Sequence, residues 1–190
     1  AITRVKFPPP KKNGDISFTL KSKPGINNSA TISASVLSTD LTNLANTINN
    51  YSGRTGVTAN LSSDKKHIIL ENKDGEDIDL SNFSGPDTLT TNTTALGASA
   101  GTTITHNSHG LSTGDKIIYT AGGTALNNLT SGQTYYAIKV NDNSFRLASS
   151  ASNASGGTAL TVGGAGGSAT DKFTPPFSLE VLKNDFTSFS

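Results

Sequence analysis

Two histidines three positions apart, His106 and His109 in "THNSHG", are the first residues of this chain whose spacing invites chemistry. Such a pair can present two imidazoles to zinc, but zinc needs a third protein ligand and usually a helical frame. Here the pair stands where a loop meets a strand-like run, and turn and strand-edge roles account for it. Glu76, Asp77 and Asp79 offer hard oxygens, and the alternation of "EDIDL" sets Asp77 and Asp79 on one face, the wet one. Calcium would require roughly six or more oxygens and a bent loop. "NDNS", residues 141–144, lacks the frame and closing glutamate of a calcium loop and reads as a hairpin turn. "GGAGG" has neither the Lys-Ser/Thr pair nor the following helix of a phosphate cradle. Tyr135 and Tyr136 are strand neighbours, so one faces the core and the other the surface. The outward ring can pack against a neighbouring strand, or stack on a sugar or a partner surface. No catalytic residue, metal site or cofactor is expected.

The elements that must position these side chains are β-rich. The chain has 190 residues, 33% hydrophobic and 15% charged, with 19 glycines. That suits one large domain or two small ones with a modest core, rather than a deep catalytic cleft. Cysteine is absent, which excludes disulfides, thiolate nucleophiles and cysteine metal sites. A net charge of +1 gives no general attraction to nucleic acid, and no apolar run approaches a membrane span. The start, "AITRVKFPPP", has no apolar signal-peptide core and reads as the product of Met removal, with mature processing or a fragment giving the same start. Taken as a whole product, it is expected to leave the cell by a dedicated exporter or by lysis, or to stay inside.

Charge is uneven along the chain. Residues 1–23 carry six basic side chains against Asp15, a net +5, which leaves −4 for the remainder. Residues 1–13 read as an extended basic arm in which Pro8, Pro9 and Pro10 favour polyproline II. Ile2, Arg4, Val5, Lys6 and Phe7 are then candidate assembly contacts, docking on another copy or on a particle surface by strand addition.

Residues 14–87 alternate more regularly. "DISFTLKS" and "ATISASVLS" form a predicted hairpin, with Ile16, Phe18 and Leu20 on one face of the first strand. Leu41, Leu44, Ala45 and Ile48 then fall on one helical stripe. Ser38, Thr39 or Asp40 is positioned to cap it, and Asn49, Asn50 and Gly53 to end it. "GVTANLSS", "HIILEN" and "DIDLSNF" follow as strands, giving the order β-β-α-β-β-β. This order, with "TDLTNLANTINNYSGRTGVTA" and "SSDKKHIILENKDGEDIDLSNFSG", resembles the flagellin IN motif, a module of flagellins, hook-associated proteins and some phage structural proteins. The resemblance implies a helix packed on a small sheet, with no catalytic role. The long helical ends that build a flagellar filament core have no counterpart in this sequence.

Residues 88–101 read as a low-complexity Thr/Gly linker. Residues 102–170 show short strands at regular spacing, at 102–105, 116–120, 133–140 and 144–148, with a candidate fifth at 159–162. "HGLSTGDKIIY", "TYYAIKV", "NSFRLA", "SASNA" and "GTAL" resemble a β-module of phage tail and fibre proteins and large bacterial surface proteins, which implies a small all-β sandwich or barrel. Residues 171–190 hold a final strand in which Phe177, Leu179 and Val181 alternate; its return to the first sheet would make the second module an insertion.

The expected fold is mainly β with one short helix. The expected function is a non-enzymatic structural or interaction protein on the exterior of a phage virion, as a head-decoration, tail or fibre-associated component. The alternative is a surface domain of a flagellar or adhesive filament, and a third reading is a glycan-binding or glycan-cleaving surface protein. Partners would be further copies in a homo-oligomer, other virion or filament proteins, or a host-surface glycan, with neither nucleic acid nor membrane involved.

Overall fold

The computed structural model describes residues 2–25, 27–96, 99–100, 102–177 and 179–182. Ile26 of the expected "KPGINNS" turn, residues 97, 98 and 101 of the expected linker, residue 178 of the expected final strand, residues 183–190 of the C-terminal segment and the side chains of residues 99, 100, 180 and 181 lie outside that description. The fold is mainly β, 39% strand and 10% helix, in antiparallel sheets. In chain order the first elements are β1 (Thr3–Phe7), β2 (Gly14–Lys21), β3 (Ser29–Val36), α1 (Thr42–Asn50), α2 (Ser52–Thr55), β4 (Thr58–Leu61), β5 (Ile68–Asn72) and β6 (Asp79–Ser84). Next are β7 (Leu89–Thr91), β8 (Ser99–Ala100), β9 (Ile104–Thr105), β10 (Lys116–Thr120), β11 (Thr134–Asn141) and β12 (Ser144–Ala148). The last are α3 (Ala151–Ser155), β13 (Thr161–Val162), β14 (Asp171–Thr174) and β15 (Glu180–Val181). The described residues form two compact units, one drawn from 1–86 and 177–190, the other from 87–176.

The first unit contains a three-stranded sheet, β3-β2-β6, and a four-stranded sheet, β15-β1-β5-β4. The hairpin of β2 and β3 pairs in full register, with Phe18 opposite Ile32. The stripe on α1 is buried throughout: Leu41, Leu44 and Ile48 have no exposed surface and Ala45 very little. A helix of nine residues is marginal by itself, and packing against β3 and β4 stabilises it. Asp40 accepts the Thr42 N–H at 2.9 Å, from one position before the cap residue Leu41. The helix ends at Asn50, one of the expected terminators, whereas Gly53 falls inside the short turn α2. Asn49 turns its side chain onto strand β4, accepting from the Ala59 N–H at 2.7 Å and donating to the Ala59 carbonyl at 3.0 Å. It thereby covers the edge of β4 at Ala59. The short turn of α2 follows, and Gly56 stops it in the left-handed region at φ 78°. A Cβ there would press on Asn72 Nδ2 at 3.2 Å and Lys23 Cβ at 3.3 Å.

The basic arm is not an arm. Residues 3–7 pair along their whole length with β5, from Thr3 opposite Asn72 to Phe7 opposite Ile68. On the other side Val5 lies opposite Val181, and the Leu182 N–H donates to the Arg4 carbonyl at 3.1 Å. Val5 and Phe7 are therefore buried in the chain's own core, while Ile2 and Arg4 stay exposed and Lys6 is half-buried. Arg4 Nε meets Glu71 Oε2 across the strand pair at 3.0 Å. The physical reason is the alternation itself: Val5 and Phe7 need an apolar face, and the sheet of the same chain supplies it. Phe7 joins a ring cluster drawn from distant segments, 5.7 Å from Phe18 and 4.9 Å from Phe177, with Phe177 stacked on Phe83 at 4.1 Å.

The second unit centres on a six-stranded sheet, β7-β14-β10-β11-β12-β9, with β8 and β13 as a separate pair. Its two outer strands would be about 24 Å apart if the sheet were flat. Instead Thr91 Oγ1 of β7 lies 3.1 Å from Nδ1 of His106, which follows β9. The sheet is thus curled into a half-barrel, and its inner face holds Ile117, Tyr119, Phe145, Leu147 and Phe173. The expected linker is part of this unit: Leu89, Thr91 and Thr93 are buried, with Leu89 opposite Phe173. Residues 171–174 also belong here, so the expected C-terminal segment divides between the units.

Ile48→Ala should destabilise the first unit by about 2–5 kcal/mol, read as a lowered urea midpoint. Truncation to begin at Asn13 removes β1 and uncovers β5. The expected outcome is loss of the first unit's cooperative transition, with its amides exchanging rapidly, whereas a free arm would leave both unchanged.

Candidate functional site

The residues with chemical potential gather at two places in the second unit. The first is the turn between β11 and β12. Asn141 Oδ1 accepts the Asn143 N–H at 2.8 Å, closing the turn as an Asx-type loop. His109 is buried behind it, edge-on to Phe145 with ring centroids 5.3 Å apart. Its Nδ1 accepts from the Leu111 N–H at 2.9 Å, so Nε2 carries the proton and donates to the carbonyls of Asn141, at 2.7 Å, and Ser144, at 3.1 Å. Both ring nitrogens therefore hold backbone. His106 instead meets Thr91 on the far edge strand, so the sequence pair is not a converging pair of ligands.

The second place is a buried polar knot that the sequence did not reveal. Asp171, on β14, has no exposed surface. Its Oδ2 accepts from Thr93 Oγ1 at 2.5 Å and Tyr119 OH at 3.0 Å, and its Oδ1 from the Gly122 N–H at 2.8 Å. Tyr119 OH in turn accepts the Leu126 N–H at 2.9 Å, and Thr93 Oγ1 accepts the Ser168 N–H at 3.1 Å. One carboxylate so fastens three irregular segments, around residues 93, 122–126 and 168. Gly166 belongs to the third, at φ 96°, and a Cβ there would overlap the Ala125 carbonyl; this close backbone approach is the use of the "GGAGG" run. Burial pushes the Tyr119 hydroxyl up to about 12; the bond from Leu126 N–H opposes the shift, and the Asp171 carboxylate adds to it. The available sequence signal was one acid alternating with Phe173 in "TDKFT".

The remaining candidates lie apart. Tyr135 is buried, its hydroxyl accepting the Thr130 N–H at 2.8 Å, and Tyr136 is half-buried on the opposite face. In the first unit Glu76, Asp77 and Asp79 are exposed, and the backbone carbonyl of Asp77 accepts from Ser22 Oγ at 2.8 Å. Among the described residues no group of three His, Asp or Glu side chains converges on a metal position. In comparisons with known proteins, no family model, no curated protein and no solved structure matches this chain.

Tyr119→Phe removes one donor to Asp171 and the acceptor of Leu126. It should cost about 1–3 kcal/mol. Because the folded hydroxyl ionises near 12 against 10.0 when unfolded, its contribution is fully present below pH 10 and fades as pH rises through 12. Alkaline melts should show the second unit losing stability across that window, and Tyr119→Phe should flatten the loss.

Proposed function

We propose that this is a non-enzymatic structural and interaction protein on the exterior of a phage virion, a head-decoration, tail or fibre-associated component. The observation that carries the reading is the use of its chemistry-bearing side chains. Nε2 of His109 holds a hairpin turn while its Nδ1 holds the Leu111 N–H, and Asp171 and Tyr119 knot three loops together. Side chains engaged in this way make a rigid displayed surface, and the two β units supply sheet faces and edges for contact. The resemblances to the flagellin IN motif and to the phage and bacterial surface module support the same reading. Its partners would be further copies in a homo-oligomer and other virion proteins. The IN-like order of the first unit also supports a second reading, a surface domain of a flagellar or adhesive filament.

The test is immuno-gold electron microscopy of intact particles and filaments from the source culture. Gold on the outside of virions is expected; gold along flagella or pili would favour the second reading, and gold on neither would overturn both. In parallel, incubation with host polysaccharide should release no new reducing ends, and release would overturn the non-enzymatic assignment.

A further inference from the structure

The outer face of the half-barrel carries a pattern that neither folding nor the knot requires. Register places Lys116 directly opposite Tyr136, Ile138 opposite Arg146, and Thr120 opposite Lys172. Alternation sets all of these on the face opposite the core residues Ile117, Tyr135 and Leu147. Ile118, between Lys116 and Thr120, shares that outer face and is half-buried, as are Tyr136 and Ile138. Every charged side chain that register puts there is a cation: Lys116, Arg146 and Lys172. Lys116 and Lys172 are exposed and, among the described residues, meet no carboxylate. Three of the unit's four acids are used elsewhere: Asp171 is in the knot, Asp142 pairs with Lys139 at 2.8 Å, and Asp115 Oδ2 accepts the Ser112 N–H at 2.9 Å.

The cations lie along a diagonal that crosses the strands from Arg146 through Lys116 to Lys172. Strand spacing and rise put neighbouring Cα atoms on it about 12–14 Å apart. That is too wide for the three to converge on one small anion. It fits a chain that repeats its anionic groups, with the apolar bodies of Tyr136, Ile138 and Ile118 lying between the charges. Helix α3 packs against β11 and β12, burying its own Ala154 and leaving Ala148, opposite Tyr136, fully covered, so the track has a wall on its β12 side. A sugar ring presents an apolar C–H face suited to a tyrosine ring, while carboxylates along the same polymer suit Lys and Arg.

We infer that this face binds an acidic polysaccharide, with Tyr136 stacking on a sugar ring and Arg146, Lys116 and Lys172 pairing with separate carboxylates spaced along the polymer. The inference deepens the exterior-surface reading by naming a ligand class for it. The binding assay uses the purified full chain alone, so its failure removes the ligand and leaves the virion reading to the imaging.

Binding should be measured by calorimetry at low salt with a polyuronate such as alginate, with neutral dextran and poly-L-glutamate as comparisons. Alginate is expected to bind, dextran not to, and the alginate affinity to fall as salt rises. Lys116→Ser with Lys172→Ser should weaken alginate binding at least tenfold, and Tyr136→Ser by a similar factor. Because Tyr136 is half-buried, circular dichroism must show its variant folded; should it not fold, the exposed lysine pair decides. Absence of alginate binding, or lysine variants that bind as the parent does, would overturn the inference. Equal binding of poly-L-glutamate, unchanged by Tyr136→Ser in a folded protein, would also overturn it and give the face to an acidic protein partner.

Discussion

The pairing of β1 on both sides is the constraint on which the first unit depends. Without it, β5 loses a neighbour, β15 has nothing to join, and Phe7 leaves the ring cluster it shares with Phe18 and Phe177. The sheet is built from strands near both ends of the described chain, and its ladder closes only when residues about 175 apart meet. Non-local pairing of this kind tends to make folding slow. The local hairpin of β2 and β3, with α1 packed on β3, is the natural place for it to begin.

Much of the first unit was legible because its signals were strong and local. Ile16, Phe18 and Leu20 alternate without interruption, and the spacing of Leu41, Leu44, Ala45 and Ile48 admits only a helix that buries one stripe. Residues 3–7 carried the same kind of signal, for Val5 and Phe7 alternate too. Three prolines and a run of positive charge made that segment read as detached. Alternation states that a face must be covered; it does not state by what, and here the cover was β5 of the same chain. The helix does end at Asn50, as the asparagines suggested, but how Asn49 serves that end was hidden for a similar reason. Asn49 looked like a terminator, but its amide reaches Ala59, a partner visible only in three dimensions.

In the second unit the legible parts were again the apolar ones, β10 and β12 above all. What stayed hidden was built from polar residues. Threonine is a poor marker of a core because its hydroxyl needs a partner before burial is tolerable. Thr93 is buried because Asp171, far along the sequence, accepts from it, and Asp171 is buried because Tyr119 and the Gly122 N–H also reach it. Each member is admissible only in the presence of the others, so no window of sequence could reveal any one of them. The same applies to His109, whose two acceptors come from the turn it supports, more than thirty residues away, and whose one donor is the nearby Leu111 N–H. For Tyr135 and Tyr136, strand geometry alone did separate an inward from an outward ring.

The first and last strands of the second unit, β7 and β14, lie side by side, with Leu89 opposite Phe173. To the first unit the folded insertion is therefore a short bridge, although about 90 residues long in sequence. When the insertion is unfolded, closing that loop around β15 costs about 2 kcal/mol more than closing a bridge of roughly ten residues. Each unit thus favours the folding of its neighbour through chain entropy alone, a cooperativity that requires no shared interface. Weakening the Asp171 knot until the insertion opens would also loosen a sheet to which the knot contributes no atom.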